Sequence, residues 1–517
     1  MGAESGSADQ RVHAARGAVY LTIQSFGGNV IAVASFAVLA RIISTSDMGI
    51  LAVLLLINGT CAVFVTWFPQ AVTKFVAENS AAGSMATAAG AFYQAFRANI
   101  LTYLPVVVIV YSEAKFIASS LLGAVSYAPL IQVLAFDLMV NVGLIPVVTA
   151  AMLGLRMYRR LAAVGLIVAA AIRQILIIGL ILLMNNFVGL VYGWLLADIA
   201  ELVALLALTL PTLGPPRFDF PIRKLLNYYL PLELGQIVTF AQTYFDRVLL
   251  VVFVPLTALG IYNTALTAYG VLTAISLSIG SVLFSSYSTI EGKGKNGSIQ
   301  SIREASRMAN RYMCLILTPL GFGLLATAKP ALTLFVGEAY VGGTLPLMIY
   351  SGAFAITAFT AGLGPVFLAR EETTIAASIT AVTVVIGLFS AYLLLPHWGI
   401  VGVSIARASA IALSGVLAVP ILRKKIGLRI DLRTLAKTFV AGTTMALTIG
   451  AVEWLRYSKF LLPLYVLVGA IVYALMLRLL KAVNSNDLKL LSRFMGRRMA
   501  VVSAFLTWIL LTPNRRT

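Results

Sequence analysis

Two stretches of this sequence resemble each other and decide the architecture: "SDMGILAVLLLING" (residues 46–59) and "TALGIYNTALTAYG" (residues 257–270). The positions that coincide at an offset of 211 are Gly49 with Gly260, Ile50 with Ile261, and Gly59 with Gly270. Weaker matches at similar offsets join "GLVYG" (189–193) to "GIVGV" (399–403) and "LAAVG" (161–165) to "IAASI" (375–379). The repeat predicts a duplicated chain.

The composition around this repeat is that of a membrane protein. Of 517 residues, 60% are hydrophobic and only 11% are charged, which is far from the balance of a soluble domain. Windows of about 19 residues predict fourteen spanning helices, at 17–40, 48–68, 90–111, 129–153, 161–184, 187–210, 230–253, 259–286, 312–335, 344–368, 373–395, 399–422, 434–455 and 460–478. The predicted fold class is therefore an all-α polytopic membrane protein.

The repeat divides these helices into two lobes of six, plus two C-terminal helices. An even number of crossings gives both lobes the same orientation, as in secondary transporters whose lobes move about a site at their interface. The glycines and proline of "AGLGPVF" (361–367) should either loosen helix 10 or let it pack closely through small residues. The predicted segments are an N-terminal tail 1–16, an N-lobe 17–211, a linker 212–228, a C-lobe 229–422, helices 13 and 14 at 434–478, and a basic tail 479–517 in which 486–499 suits an interfacial helix and the place of 500–511 stays open.

The basic residues predict the orientation. Most of the 38 Lys and Arg residues fall in segments that lie on one side if both termini are cytoplasmic, as the positive-inside rule requires. The net charge of +19 is then explained by topology and by contact with anionic membrane lipids. Nucleic acid is not an expected partner.

The residues that usually bind metals are scarce. Cys61, Cys314, His13 and His397 are the only cysteines and histidines, and they do not cluster. No disulfide framework, metal site or cofactor is predicted from them.

The stretches "LARIISTSDMGILAVLLL" (39–56) and "LLNYYLPLELGQIVTFAQTYFDRVLLVVFVPLTALGIYNTALT" (225–267) resemble the polysaccharide transporter, or oligosaccharide flippase, family of the multidrug/oligosaccharidyl-lipid/polysaccharide (MOP) exporter superfamily. The resemblance implies an inverted-V transporter architecture. It also implies a non-enzymatic flippase of the cell membrane that moves a polyprenyl phosphate or diphosphate glycan from the inner to the outer leaflet by alternating access, with glycan-assembly machinery as a partner.

Three arginines lie within predicted helices: Arg173, Arg247 and Arg407. Because a charge facing lipid is costly, we expect these arginines to face the interior. The planar guanidinium matches phosphate oxygens, so all three are candidate ligands of the substrate head group. The alternative is pairing with helix carboxylates, of which the available ones are Asp137, Asp198, Glu201, Glu233 and Asp246.

The same carboxylates are candidates for coupling to H⁺ or Na⁺. Asp198 and Glu201 are three residues apart on one helix face, where close carboxylates share protons readily. An ion pair with Arg173 or Arg407 would explain them equally. Coupling candidates beyond this pair are Asp246, Asp137 and Glu233. Candidates for hydrogen bonding to sugar hydroxyls are Tyr244, Tyr262, Gln236, Gln242 and Asn263, with the alternative that the tyrosines only mark the membrane interface.

Three other functions remain open on sequence alone. A drug/cation antiporter of the same superfamily would favour a cavity dominated by carboxylates, whereas arginines compete with them here. A peptidoglycan-precursor lipid flippase shares the helix count and the cationic residues. A membrane glycosyltransferase would need acids in a sizeable outer loop, and the predicted outer segments are short.

Overall fold

The computed structural model describes residues 2–65, 68–292, 295–428 and 430–483, and within these ranges the chain contains helices and no strands. It groups into two compact units, residues 1–260 and 261–517. The helices of the first unit are α1 (Gly2–Ile42), α2 (Thr45–Phe64), α3 (Pro69–Ala81), α4 (Met85–Ser112), α5 (Ala114–Leu121), α6 (Ala128–Asp137), α7 (Ile145–Gly154), α8 (Tyr158–Val164), α9 (Arg173–Met184), α10 (Val188–Leu213) and α11 (Ile222–Phe253).

Two π-helical segments continue helices of this unit: Leu138–Leu144 joins α6 to α7, and Gly165–Ile172 joins α8 to α9. The remaining helices are α12 (Leu256–Glu291), α13 (Lys295–Ala326), α14 (Ala328–Phe335), α15 (Thr344–Thr357), α16 (Gly364–Ala369), α17 (Thr373–Ile426), α18 (Leu432–Leu455) and α19 (Leu462–Leu479).

Twelve helical stretches of the described ranges are long and apolar enough to cross a membrane. One of them, α17, has 54 residues and a break at Gly399 (φ 54°, ψ −134°), so that it covers two of the predicted spans. Helix α11, where the span 230–253 is predicted, is not among the twelve. The multi-pass class is confirmed, whereas the count of fourteen remains a prediction.

Local sequence explains where the helices begin and end. Ser44 and Asp47 form a reciprocal capping box at the start of α2. Helix 10 is broken as the glycines and proline predicted: α15 ends at Thr357, and α16 begins only at Gly364. Helix α1 instead includes residues 2–16 of the predicted tail, because that stretch contains no proline and several good helix formers.

The first repeated glycines make a reciprocal contact inside the first unit. A Cβ on Gly49 would lie 2.0 Å from the carbonyl oxygen of Leu256, and a Cβ on Gly260 would lie 2.0 Å from that of Thr45. The contacted residues are themselves related by the offset of 211. The repeat therefore marks a place where α2 and the first turn of α12 cross too closely for any side chain.

The predicted segment limits stay predictions. Helix α11, predicted to open the C-lobe, lies within the first compact unit, where the ring of its Phe240 is 5.8 Å from that of Phe64 on α2. Helices α18 and α19 occupy the stretch predicted for the last two spans. The predictions for 486–499 and 500–511 lie outside the described residues.

Candidate functional site

A charged cluster lies where α6, α9 and α10 meet in the first unit. Asp198 of α10 is fully buried, and its Oδ1 is 3.3 Å from a guanidinium nitrogen of Arg173. Arg173 is the first residue of α9 and directly follows a π-helical segment. The sequence left this pairing open as one of two explanations of Arg173. The ion pair avoids the cost of an unpaired charge in the membrane.

Asp137 completes the cluster from the last turn of α6. Its side chain is fully buried and faces the Asp198 carboxyl, yet neither of its carboxyl oxygens has a hydrogen-bond donor among the described residues. Asp198 is better provided, because the Asn141 side-chain amide donates to its Oδ2 over 2.6 Å. Asn141 lies on the π-helical segment that follows Asp137.

Glu201 follows Asp198 by almost one turn of α10 and is half-buried. It interacts electrostatically with both Asp198 and Arg173. The Arg173 guanidinium also lies 5.7 Å from the ring of Trp194, on the same helix as Glu201. The acid cluster, defined as Asp137, Arg173, Asp198 and Glu201, therefore sets three carboxyl groups against one guanidinium. The sequence analysis missed Asn141 and Trp194. Their roles follow only from the packing of the helices, which brings Asn141 to Asp198 and Trp194 to Arg173.

A second arginine of this unit, Arg247 on α11, has different surroundings. Its guanidinium lies 5.1 Å from the ring centre of Tyr244, one turn earlier. That ring is 5.0 Å from the ring of Phe240 and covers Gly59 of α2, where a Cβ would come within 2.7 Å of it. The Arg247 side chain is half-buried, and among the described residues its Nε has no acceptor.

The neighbours of Arg247 along α11 are placed as follows. Asp246 is fully buried and, one residue away, points about 100° from Arg247. Glu233 accepts a hydrogen bond from the Tyr229 hydroxyl, which offers this predicted coupling residue a local partner. Gln236 is exposed. In the part of the chain that the structure describes, Glu233 and Gln236 do not contact the acid cluster.

Arg407 belongs to the second unit. It is half-buried on α17 and lies close enough to Tyr269 to interact with it electrostatically. The ring of Tyr269 is 5.3 Å from that of Tyr350, whose hydroxyl donates to the hydroxyl of Tyr262 over 2.6 Å. Tyr262 is fully buried, so its hydroxyl serves an internal contact.

Solved structures share this fold. The protein resembles the lipid II flippase MurJ in an inward closed conformation, with a TM-score of 0.69 and 13% identity over 89% of this chain and 98% of that one. It also resembles an inward-facing MATE-family multidrug resistance transporter of the MOP superfamily, with a TM-score of 0.60 and 15% identity over 78% and 94% of the two chains.

Two curated proteins align with parts of the sequence. A probable low-salt glycan biosynthesis flippase, Agl15 of Haloferax volcanii, is 22% identical over 307 residues, which are 59% of this chain and 64% of Agl15. A probable lipid II flippase MurJ of Bdellovibrio bacteriovorus is 25% identical over 193 residues, 36% of each chain. The chain thus covers less than two thirds of the length of either relative.

A family model matches more than half of the chain. The model described as polysaccharide biosynthesis protein matches residues 38–343, which include the whole acid cluster, Arg247 and both copies of the glycine repeat. This multi-pass membrane protein with a MurJ-like and MATE-like fold therefore belongs to the polysaccharide biosynthesis protein family.

Proposed function

We propose that this protein is a flippase that moves a lipid-linked oligosaccharide from the inner to the outer leaflet by alternating access. The observation that carries the proposal is the match to the polysaccharide biosynthesis family over residues 38–343 in a chain with a transporter fold. The curated relatives named as flippases for glycan biosynthesis and for lipid II point to the same class of cargo, a glycan on a polyprenyl phosphate or diphosphate.

Arg247 is the best-placed ligand for the phosphate in this proposal. Arg173 is already committed to Asp198, whereas among the described residues the Arg247 guanidinium has an aromatic ring beneath it and an Nε that lacks an acceptor. A guanidinium that is half-buried and stacked keeps its charge and presents its fork in one plane. A phosphate oxygen pair would satisfy both the geometry and the charge.

The other functions fit less well. A drug/cation antiporter shares the fold, but the family match is to polysaccharide biosynthesis. A peptidoglycan-precursor flippase is the nearest alternative, because it would use the same phosphate chemistry. We infer a transporter without cofactor or enzymatic activity, embedded in the cell membrane with both termini cytoplasmic and working beside glycan-assembly machinery. The distribution of Lys and Arg supports this orientation.

The test is translocation in reconstituted vesicles, with a fluorescent polyprenyl-diphosphate oligosaccharide as the probe and rates normalised to inserted protein. Arg247→Lys should slow flipping about tenfold, because an ammonium keeps the charge but loses the bidentate contact, and Arg247→Ala should slow it further. Arg97→Ala is the matched control, since Arg97 also lies over an aromatic ring, that of Phe218 at 4.8 Å, but is predicted to lie at the cytoplasmic end of α4.

Two results would contradict the proposal. Full activity of Arg247→Ala would remove the phosphate-binding role, and the absence of flipping by the unchanged protein would remove the function.

The orientation has a separate test. Cysteines are placed at the exposed positions Ser112 and Gln300 and probed in intact cells with an impermeant thiol reagent, which should label the cysteine at Ser112 and not the one at Gln300. Labelling at Gln300 but not at Ser112 would reverse the orientation.

A further inference from the structure

The break in helix 10, between the end of α15 at Thr357 and the start of α16 at Gly364, lies against a buried polar side chain of α13. A Cβ added to Gly362, within the break, would lie 2.6 Å from the side-chain oxygen of Asn310. Asn310 is only 3% exposed, and among the described residues neither its amide oxygen nor its amide nitrogen has a hydrogen-bond partner. Because buried amides in proteins are hydrogen-bonded, Asn310 needs a partner that is not one of these residues.

Two further buried polar side chains lie beside Asn310. Ser306 is one helical turn earlier on the same face of α13 and is fully buried. Tyr287 of α12 is also buried, and it belongs to one hydrophobic core cluster with Ala309 of α13 and Leu363 of the break. The hydroxyls of Tyr287 and Ser306 are close enough to interact, but in the described part of the chain neither makes a hydrogen bond of normal geometry.

The chemistry of these side chains selects water as their ligand. The Asn310 amide offers a donor and an acceptor, whereas a cation would use only the acceptor and would be repelled by the N–H groups. The nearest carboxylate along α12, that of Glu291, already has a cationic partner in Arg370 at 3.7 Å. A buried water makes about three hydrogen bonds, which the amide and the two hydroxyls can supply. Ordered waters are one of the means by which broken helices in membranes satisfy their polar groups.

We propose that the second unit holds an ordered water among Asn310, Ser306 and Tyr287, and that this water makes the break in helix 10 a hinge. A direct bond between α13 and the break would fix one arrangement of the two. A bridging water is nearly as favourable as a direct hydrogen bond and can reorient, so α16 can tilt relative to α15 while the Asn310 amide stays satisfied. Pro365, in the first turn of α16, has no backbone N–H to lose when the helix tilts.

The water site can be tested without a transport assay, by hydroxyl-radical labelling of the purified protein with short X-ray pulses. Radicals that form from an internal water oxidise the side chains beside it. Met313 is the reporter, because it is only 1% exposed and its sulfur would lie 3.3 Å from the same added Cβ on Gly362. Met152, fully buried in an apolar core cluster of the first unit, is the matched reference. Met313 should be oxidised several-fold more than Met152.

Variants of α13 sharpen this test. Asn310→Leu should reduce the oxidation of Met313 to the level of Met152, and it should still fold, because an apolar side chain of similar size leaves no polar atom to satisfy. Thr318→Val is the control: it removes another buried hydroxyl that lacks a described partner, about two turns further along α13, and should leave the oxidation of Met313 unchanged. Equal oxidation of Met313 and Met152 in the unchanged protein, or undiminished oxidation of Met313 in Asn310→Leu, would overturn the water site.

The hinge half of the inference rests on the proposed function and uses the vesicle assay with the same lipid-linked probe. Asn310→Leu should slow flipping several-fold, whereas Thr318→Val should flip at the rate of the unchanged protein. Flipping at the full rate by Asn310→Leu would overturn the hinge. Excess oxidation of Met313 in a protein that does not flip the probe would instead contradict the proposed function and leave the water site standing.

Discussion

The surroundings of Arg173 and of Arg247 differ although both arginines lie in helices of the same compact unit. Arg173 is held by a carboxylate at 3.3 Å, and further acids stand nearby. Arg247 rests on a tyrosine ring, and its Nε has no acceptor in the described part of the chain. The first arrangement satisfies the guanidinium from within the protein, whereas the second leaves hydrogen-bonding capacity for something else.

This difference teaches that charge in a spanning helix has two separate explanations. A paired arginine stabilises the fold together with its partner, because removing either one leaves a buried charge, which costs several kcal/mol. An arginine stacked on an aromatic ring gains only about 0.5–2 kcal/mol from that contact, so its presence in a spanning helix points to a ligand. Variants test this difference: loss of the Arg173 partner should reduce stability most, and loss of Arg247 should reduce transport with little change in stability.

The largest effect is expected for Asp198→Ala. The change removes the partner of Arg173 and should lower the free energy of unfolding by about 3–5 kcal/mol, which would be seen as a large loss of folded protein in detergent on heating. Arg247→Ala, by contrast, should retain the melting temperature of the unchanged protein within a few degrees. The double variant Arg173→Gln with Asp198→Asn, which leaves no isolated charge, should recover much of the loss. Equal destabilisation by Asp198→Ala and Arg247→Ala would end the distinction between the two arginines.

A smaller effect is expected at the glycine beneath Tyr244. Gly59→Leu must displace the Tyr244 ring, because even a Cβ would come within 2.7 Å of it, and overpacking of this kind costs about 1–3 kcal/mol. It should also slow flipping, since the ring supports Arg247. Gly270→Leu is the matched control: Gly270 occupies the same repeat position, but a Cβ added there would meet no atom within 4 Å. If the two variants flip equally well, the ring does not position Arg247.

Much of the architecture was accessible from the sequence. The composition and the apolar runs predicted the helical membrane class, and the repeat predicted that Gly49 and Gly260 are equivalent, which their reciprocal contacts bear out. The other glycine pair shows the limit. Gly59 and Gly270 coincide in the alignment, yet only Gly59 is covered by a tyrosine, because the packing depends on a residue outside the repeat.

The candidate site was predicted less completely, for a similar reason. The spacing of Asp198 and Glu201 placed them on one helix face, and Arg173 was a predicted partner. The approach of one buried carboxyl to another, as for Asp137, arises from the packing of α6 against α10 and is not a periodic property of either helix. The π-helical segments beside Asp137 and Arg173 are likewise invisible to a pattern of apolar residues, because they change the register without changing the composition.

The smallest effect is expected where the same pairing chemistry lies outside the spanning helices. Asp431 caps α18 by accepting hydrogen bonds from the Thr434 amide and hydroxyl, and it lies 3.7 Å from Arg311. Burial raises the pKa of Asp431, but the Thr434 hydrogen bonds and the charges of Arg311 and Arg307 outweigh it, so that the pKa is lowered overall.

Asp431→Asn keeps an acceptor for the cap and removes only the charge, so the free energy of unfolding at pH 7 should fall by less than about 1 kcal/mol. Because a lowered carboxyl pKa stabilises the folded state above the unfolded value of about 3.9, the stabilisation is present at pH 7 and is lost as the pH falls through the folded pKa. Melting curves of the two proteins should therefore differ slightly at pH 7 and converge below about pH 4. A loss at Asp431 as large as that at Asp198 would show that the membrane-embedded position of the Arg173 pair is not what makes it costly to break.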